Sequence, residues 1–543
     1  MAQFSSLRAS GCDKRLDPAV FIVIILQNLG AAMNSFHRVA LIWLVLTCSY
    51  LHAAVSLASP FTDHAVLQRE RPVPVWGMAT VGERITVTCQ GVTATAITDS
   101  KGRWSVVLAP LPVGGPYEMV VSGSSTIALK DILVGDVWLC SGQSNMAFTV
   151  KQADHGISEI AQANHPQMRL FQVARKAADA PLATCAGAWN RCSPATIERF
   201  SAVAYYFGRE LHSTLSVPIG LIDASWGGTM AEPWTTQQGL ESSPEFKNVF
   251  AEWDKILKAY PKAMETYRTV TLPAWERASA EAKAAGKTAA RKPFEPSGPN
   301  TLERRPAGLY NGMIAPLVPY ALRGAIWYQG EANAKPVQDE AYRRLLPLMI
   351  TSWRTAFGHD LSFYIVQLAN YGVNDEKLAT APWPVVSWPL VREGQAITAA
   401  TLPECGLAVT IDIGNPKDIH PTNKREVGRR LALSALAKDY RRTLEYSGPV
   451  FSGMTLQGGT AVLAFDHADG LAAAKGELRG FTLAGSDGRF LAARAEIQGP
   501  TVRVSCAGVQ VPVAVRYSWA NSPDGNLINK AGLPASPFRH PQK

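Results

Sequence analysis

Between residues 57 and 130, apolar and polar positions alternate in short runs such as Arg84-Ile85-Thr86-Val87-Thr88 and Tyr117-Glu118-Met119-Val120-Val121. Glycine and proline turns interrupt them at Lys101-Gly102-Arg103 and Gly114-Gly115-Pro116. A period of two between turn residues suits strands with one buried face, and the repetition predicts an antiparallel β-sandwich. From Asp136 the pattern changes. Short apolar runs, predicted as strands at Asp136–Leu139, Pro218–Asp223, Gly324–Tyr328, Phe363–Leu368 and Leu407–Asp412, alternate with helix-length segments. One helix carries Phe200, Val203, Phe207 and Leu211 and another Tyr342, Leu345, Leu346, Met349 and Trp353, spacings that turn one apolar face to a sheet. Strand and helix in alternation predict a parallel α/β sheet, with the loops after its strands gathered on one edge, where such folds bind ligands.

Two segments stand outside that alternation. Residues 242–299 are rich in Ala, Lys and Glu and end in Pro293, Pro296 and Pro299, which reads as a helical insertion. From about Tyr446 alternating strands return at Ala461–Phe465, Thr501–Ser505 and Ala514–Ser518, so a second β module follows.

Composition narrows the class. The chain has 543 residues, enough for three or four domains of about 150 residues. Apolar residues make 47% and charged residues 18%, the latter below the roughly 25% of an average globular protein, which excludes a disordered or coiled-coil chain. The net charge of +9 is spread without a dense basic run, which argues against a nucleic-acid partner. Residues 33–54 have the layout of a secretory signal: Asn34, His37 and Arg38, an apolar stretch Val39–Leu46, then Ala53 and Ala54. That stretch is shorter than the roughly 20 residues of a membrane span. A start at Met33 makes the leader complete and leaves residues 1–32 as an upstream extension; Cys48 fits a lipoprotein signal poorly. The chain is therefore expected to be secreted or periplasmic, with no membrane association beyond the leader. In an oxidising compartment Cys185 and Cys192, which flank a short loop, are the best disulfide candidates. No cysteine pair has zinc-site spacing.

The chemistry gathers at strand ends. Asp136–Leu139 runs into Cys140-Ser141-Gly142-Gln143-Ser144-Asn145-Met146, and a serine between a strand and a predicted helix start would sit among backbone N–H groups that stabilise negative charge. Met146 stands where the Gly-x-Ser-x-Gly elbow needs its second glycine. Pro218–Asp223 leads to Trp226-Gly227-Gly228-Thr229, whose glycines can aim an N–H at a ligand. Gly324–Tyr328 leads to Gln329-Gly330-Glu331-Ala332-Asn333, with two amides suited to an oxyanion. The last loop holds Asp418-Ile419-His420-Pro421, where a carboxylate can orient an imidazole. Each feature alone is more simply a cap, turn, loop or structural histidine. All four on loops after strands make an acyl-transfer site.

The segments Cys140–Met146, Gly227–Trp234 (Gly-Gly-Thr-Met-Ala-Glu-Pro-Trp), Trp327–Asn333 (Trp-Tyr-Gln-Gly-Glu-Ala-Asn) and Asp418–Pro421 resemble the sialate O-acetylesterase family of SGNH hydrolases, whose relatives include xylan deacetylases. The likeness extends to Phe61–Gly77 and Asn526–Arg539. It implies an SGNH-type three-layer parallel-sheet hydrolase domain at 131–241 and 300–445, flanked by β-rich modules at 55–130 and 446–543. It implies a carboxylic ester hydrolase that removes O-acetyl groups from sugars, of xylan or sialic acid, without metal or organic cofactor. Ser144 would be the nucleophile, His420 the general base and Asp418 its orienter, with Asp412 a weaker alternative. The oxyanion hole would come from the Ser144 and Gly228 N–H groups and the amide of Asn333 or Gln329. Trp226, Trp234, Trp327, Trp383, Trp388 and Glu331 lie in or near these loops and could face a sugar. A short-chain lipase or thioesterase of the same superfamily, or a non-catalytic carbohydrate-binding protein, is the alternative. Nothing in the sequence sets the oligomeric state.

Overall fold

A computed structural model describes residues 54–372 and 387–541. The upstream extension, the leader and Trp383 lie outside the described residues. At the centre is a run of strands: β1 (Thr126–Gly142), β2 (His165–Gln172), β3 (Trp189–Cys192), β4 (Ile219–Ser225), β5 (Gly324–Tyr328), β6 (Ser362–Val366) and β7 (Cys405–Ala408). Their spatial order is β3-β2-β4-β1-β5-β6-β7. All neighbours are parallel except the edge pair β3 and β2. Every residue of β4, β5 and β6 is buried, as a sheet covered on both faces requires.

Four helices flank the sheet: α1 (Ala202–Leu215), α2 (Gln338–Phe357), α3 (Ser387–Thr401) and α4 (Lys424–Lys438). Adjacent residues of β6 show the two covered faces. Phe363 packs against Trp353 of α2, while the Tyr364 hydroxyl bonds Asp439 at the end of α4. On the Tyr364 side Trp138 meets Phe207 of α1 edge-to-face at 5.0 Å. Helix α1 starts after Phe200, because the Ser201 hydroxyl caps it by accepting from Ala204 N–H.

Strand β1 is long because it serves two regions. Its first half pairs antiparallel with Gly114–Ser122, and its second half, from Asp136, lies between β4 and β5. Residue 131, the expected start of the hydrolase domain, falls inside this one strand. Arg103–Leu108 shows strict alternation of exposed and buried residues, the pattern expected for the N-terminal β region. Residues 242–299 contain helices Val249–Thr266 and Leu272–Ala284, which bury only Trp253 and Met264. After Tyr446, antiparallel strands enclose a core of their own that includes Leu463, Phe481, Val504, Tyr517 and Phe538.

Two expectations need correction. The last parallel strand is Cys405–Ala408, not Leu407–Asp412. Beyond Ala408 the backbone turns to α4, where Arg430 takes the Val409 carbonyl and both oxygens of Asp412. Cys185 and Cys192 do not pair: all six described cysteines are free. Cys192 is buried at the end of β3, while the Cys185 N–H is held by the Ser59 hydroxyl.

Candidate active site

Strand β1 ends at Gly142, whose φ is +138° and where a Cβ would stand 2.2 Å from the Tyr328 carbonyl oxygen, so glycine alone fits. The chain then makes a single turn: Met146 and Ala147 N–H both donate to the Gln143 carbonyl. Ser144 sits in that turn and is half-buried. No helix starts there, contrary to the sequence expectation, so no helix dipole acts on the serine. The turn is pinned to the β5 loop, since Gln143 N–H donates to Tyr328 O at 2.9 Å and its Oε1 accepts from Ala332 N–H at 3.2 Å.

His420 meets this turn from 276 positions away, its Nε2 lying 2.8 Å from Ser144 Oγ. Its ring stacks beside Phe148 at 6.3 Å. On the other side Nδ1 lies 3.7 Å from Asp418 Oδ1, beyond hydrogen-bond distance. That carboxylate is 58% exposed and accepts the His420 backbone N–H at 2.9 Å. Asp412 is occupied by Arg430 at 2.6 Å on each oxygen and does not serve as a second orienter.

The β4 loop brings Gly227 against the serine: a Cβ there would be 3.2 Å from Ser144 Cβ. Gly228 follows with φ +77° and nothing within 4 Å of where a Cβ would stand. Neither predicted amide is hydrogen-bonded to the serine. Gln329 spends both N–H groups on Asn333 Oδ1 (2.7 Å) and Thr229 O (3.2 Å). Asn333 accepts from Ala231 N–H and donates to Glu232 Oε2. Both are fully buried and fasten the Thr229–Glu232 loop beside the glycines.

Three expected sugar contacts are core instead. Trp234 and Trp327 are fully buried and meet edge-to-face at 6.1 Å, and Trp388 is buried with its indole N–H on Ala369 O. Trp226 remains half-exposed, beside Gly227. Glu331 is turned inward and accepts from Asn145 Nδ2 at 2.5 Å.

The sequence reading missed Asn145 as a functional residue, and Lys424 and Phe148 altogether. Asn145 donates to Ile419 O at 2.9 Å and accepts from Lys424 Nζ at 2.5 Å. Lys424 is fully buried, with its ammonium over the rings of Phe148 and Tyr328. One signal was available: a lysine in the first turn of a helix opposes the helix dipole, a local violation of the kind expected at functional sites. A cavity of about 380 Å³ opens beside His420, lined by Asp154, Asp412, Asn415, Asp418 and Asn423 among others. Among the described residues no group of three or more His, Cys, Asp or Glu could hold a metal ion.

A hydroxyl hydrogen-bonded to an imidazole that lines an open cavity is equipped for attack on a carbonyl. The sequence profile of the carbohydrate esterases described as sialic acid-specific acetylesterases matches residues 134–270 and 286–437. The chain belongs to that family. This esterase is 31% identical over 429 residues to the rat sialate O-acetylesterase, covering 72% of this chain and 75% of the relative. It is 28% identical to the human sialate O-acetylesterase, with 89% of this chain and 91% of that one covered. A solved carbohydrate acetylesterase from Xanthomonas citri superposes with a TM-score of 0.76 at 38% identity, covering 90% of this chain and all of that one.

Burial first, then the nearby Lys424 charge, hold the His420 imidazole below its ordinary value of 6.5, against the pull of Asp418. With His420 as the general base of the mechanism proposed below, the imidazole works in its neutral form. The esterase should therefore lose kcat/KM on acidification with a midpoint below 6.5, a limb that a pH profile on a chromogenic acetyl ester reads directly.

Proposed function

We propose that this carbohydrate esterase removes O-acetyl groups from sugars through an acetyl-enzyme on Ser144. The observation that carries the reading is the 2.8 Å contact between Ser144 Oγ and His420 Nε2 in a chain of this family. As Oγ attacks the acetyl carbonyl, its proton passes to His420 Nε2, and the tetrahedral oxyanion is received by the N–H groups of Ser144 and Gly228. Collapse breaks the ester bond, and the sugar alcohol leaves with the proton from His420. Water then attacks the acetyl-serine, giving its proton to His420, and acetate departs as that proton returns to Oγ. Asp418 supports the imidazolium across the 3.7 Å gap, which can tighten when substrate enters.

The architecture supporting this chemistry is an SGNH-type hydrolase domain of three layers, interrupted by the helical insertion and flanked by the two β-rich regions. The leader-like segment supports export. Among the described residues no helix is long and apolar enough to cross a membrane.

The cavity beside His420 favours neutral sugars. Of its carboxylates, Asp412 is neutralised by Arg430, but Asp154 and Asp418 leave negative charge facing a ligand. A substrate carboxylate near one of them would be opposed by about 1 kcal/mol even at the dielectric constant of water. Acetate release from acetylated xylo-oligosaccharides should outpace release from O-acetylated sialic acids by about fivefold or more at low salt, and the gap should narrow as salt is added. Faster release from sialic acids would reverse the assignment of substrate. Butyryl esters run in parallel should be poor substrates; a preference for them would indicate a lipase.

A further inference from the structure

Asp418 is a weak holder of the imidazole by itself, exposed and 3.7 Å from Nδ1. The structure contains a second holder, acting on the loop that carries the ring. Asn145, the residue after Ser144, reaches three other elements: Glu331 on the β5 loop at 2.5 Å, the Ile419 carbonyl immediately before His420 at 2.9 Å, and Lys424 of α4 at 2.5 Å. The side chains of Asn145, Glu331 and Lys424 are buried, Lys424 completely. Its ammonium is held between the Phe148 and Tyr328 rings at 4.8 and 5.1 Å, and Phe148 also flanks the His420 ring.

We propose that Asn145 and Lys424 are positioning residues for the ester hydrolysis proposed above, tying the turn that carries Ser144 to the loop that carries His420 so that Oγ and Nε2 meet. Asn145 acts through the Ile419 carbonyl. Lys424 fixes the Asn145 amide, since an ammonium donates only to Oδ1 and thereby directs Nδ2 to Glu331 and Ile419. A buried cation, costly unless hydrogen-bonded and paired, is retained here with an amide, two aromatic faces and the Glu331 carboxylate one residue away.

The arrangement also sets the electrostatics of the pair. His420 is faced by Ser144 and Asp418 and by Lys424 from α4; Lys424 is faced by Asn145, Glu331 and Tyr328, with Asp418 further out. Burial lowers Lys424 to about 7, with Glu331 and Asp418 opposing, and burial raises Glu331. While Lys424 is charged it disfavours a second cation on His420.

The test is a pH series on a chromogenic acetyl ester for wild type, Asn145→Ala, Lys424→Met and Lys424→Gln, with folding checked by circular dichroism. Lys424→Met should lower kcat at least tenfold with KM changed less than threefold, and should move the acid limb of kcat/KM up in pH because His420 loses a neighbouring positive charge. Lys424→Gln, which keeps a donor for Asn145 Oδ1, should recover part of kcat and retain the shifted limb. Asn145→Ala should lose kcat while its limb stays near wild type, since Lys424 keeps its charge. A merely structural lysine would lower stability without moving the limb. Wild-type kcat and an unmoved limb in a folded Lys424 variant, or wild-type kcat in folded Asn145→Ala, would overturn the proposal. Should the Lys424 variants not fold, Asn145→Ala decides alone, and wild-type kcat in that folded variant overturns the proposal. Wild type and Ser144→Ala run alongside keep the two failures apart: an inactive wild type sinks the esterase reading, whereas an active wild type with indifferent variants sinks only this one.

Discussion

Ser144→Ala should reduce kcat toward acetyl esters by roughly four to six orders of magnitude, the scale on which removal of a nucleophile or its base acts in serine hydrolases. The reason is geometric. Ser144 Oγ lies 2.8 Å from His420 Nε2, and no other hydroxyl is placed in that turn. His420→Ala should cost a similar factor, and the double variant little more than either single one, because the two groups act as one unit. What remains would come from the amides of Ser144 and Gly228 acting on water-driven hydrolysis. Stability should change little, since both side chains are only half-buried. A Ser144→Ala enzyme within tenfold of wild type would end the assignment.

The largest effect on stability is expected in the middle of the same strand, where its parallel part begins. Asp136, fully buried at the start of the parallel part of β1, accepts from Gln68, Arg69, Arg323 and Tyr440, at 2.9–3.1 Å. Burial opposes its ionisation, but the Arg69 hydrogen bond and the Arg323 charge outweigh it and hold its carboxyl below the usual range. Asp136→Asn would leave two guanidinium groups without their shared anion, and breaking a buried pair this way costs about 3–5 kcal/mol. Urea unfolding should show the loss as a lower midpoint. The site lies six residues from Gly142, about 20 Å along the strand, so kcat of the folded fraction should stay near wild type. A loss under about 1 kcal/mol would mean that the cluster is held by its exposed partner Glu70 and by solvent rather than by Asp136.

The two findings show which physical signals a sequence carries. Period-two alternation and short apolar runs located the N-terminal strands and four of the six strands with parallel neighbours, because burial on one face or on both acts residue by residue, but they missed β2 (His165–Gln172). The last strand was placed two residues late at its start and four at its end, since its end is set by Arg430, a residue 18 positions beyond Asp412. Ser144 and His420 were legible as residue types on loops after strands, and their contact follows from the parallel sheet collecting those loops at one edge. The helix expected after Ser144 was not legible as a lone turn, because the turn is fixed by Tyr328 and Ala332 across the sheet. Gln329, Asn333 and Glu331 read as polar loop residues open to a ligand. Whether an amide faces a ligand or fastens a neighbouring loop depends on the fold, and here all three turn inward. The same holds for Trp234 and Trp327, whose composition fits a sugar platform and whose burial makes them core.

The most direct measurement is covalent labelling. The enzyme treated with an activated organophosphate ester that phosphorylates serine should lose all activity as one equivalent is incorporated, and peptide mass spectrometry should place the adduct on Ser144 and nowhere else. His420→Ala should label far more slowly, since the serine loses its base. Full inactivation with the adduct on another residue, or retained activity after stoichiometric labelling of Ser144, would contradict the account.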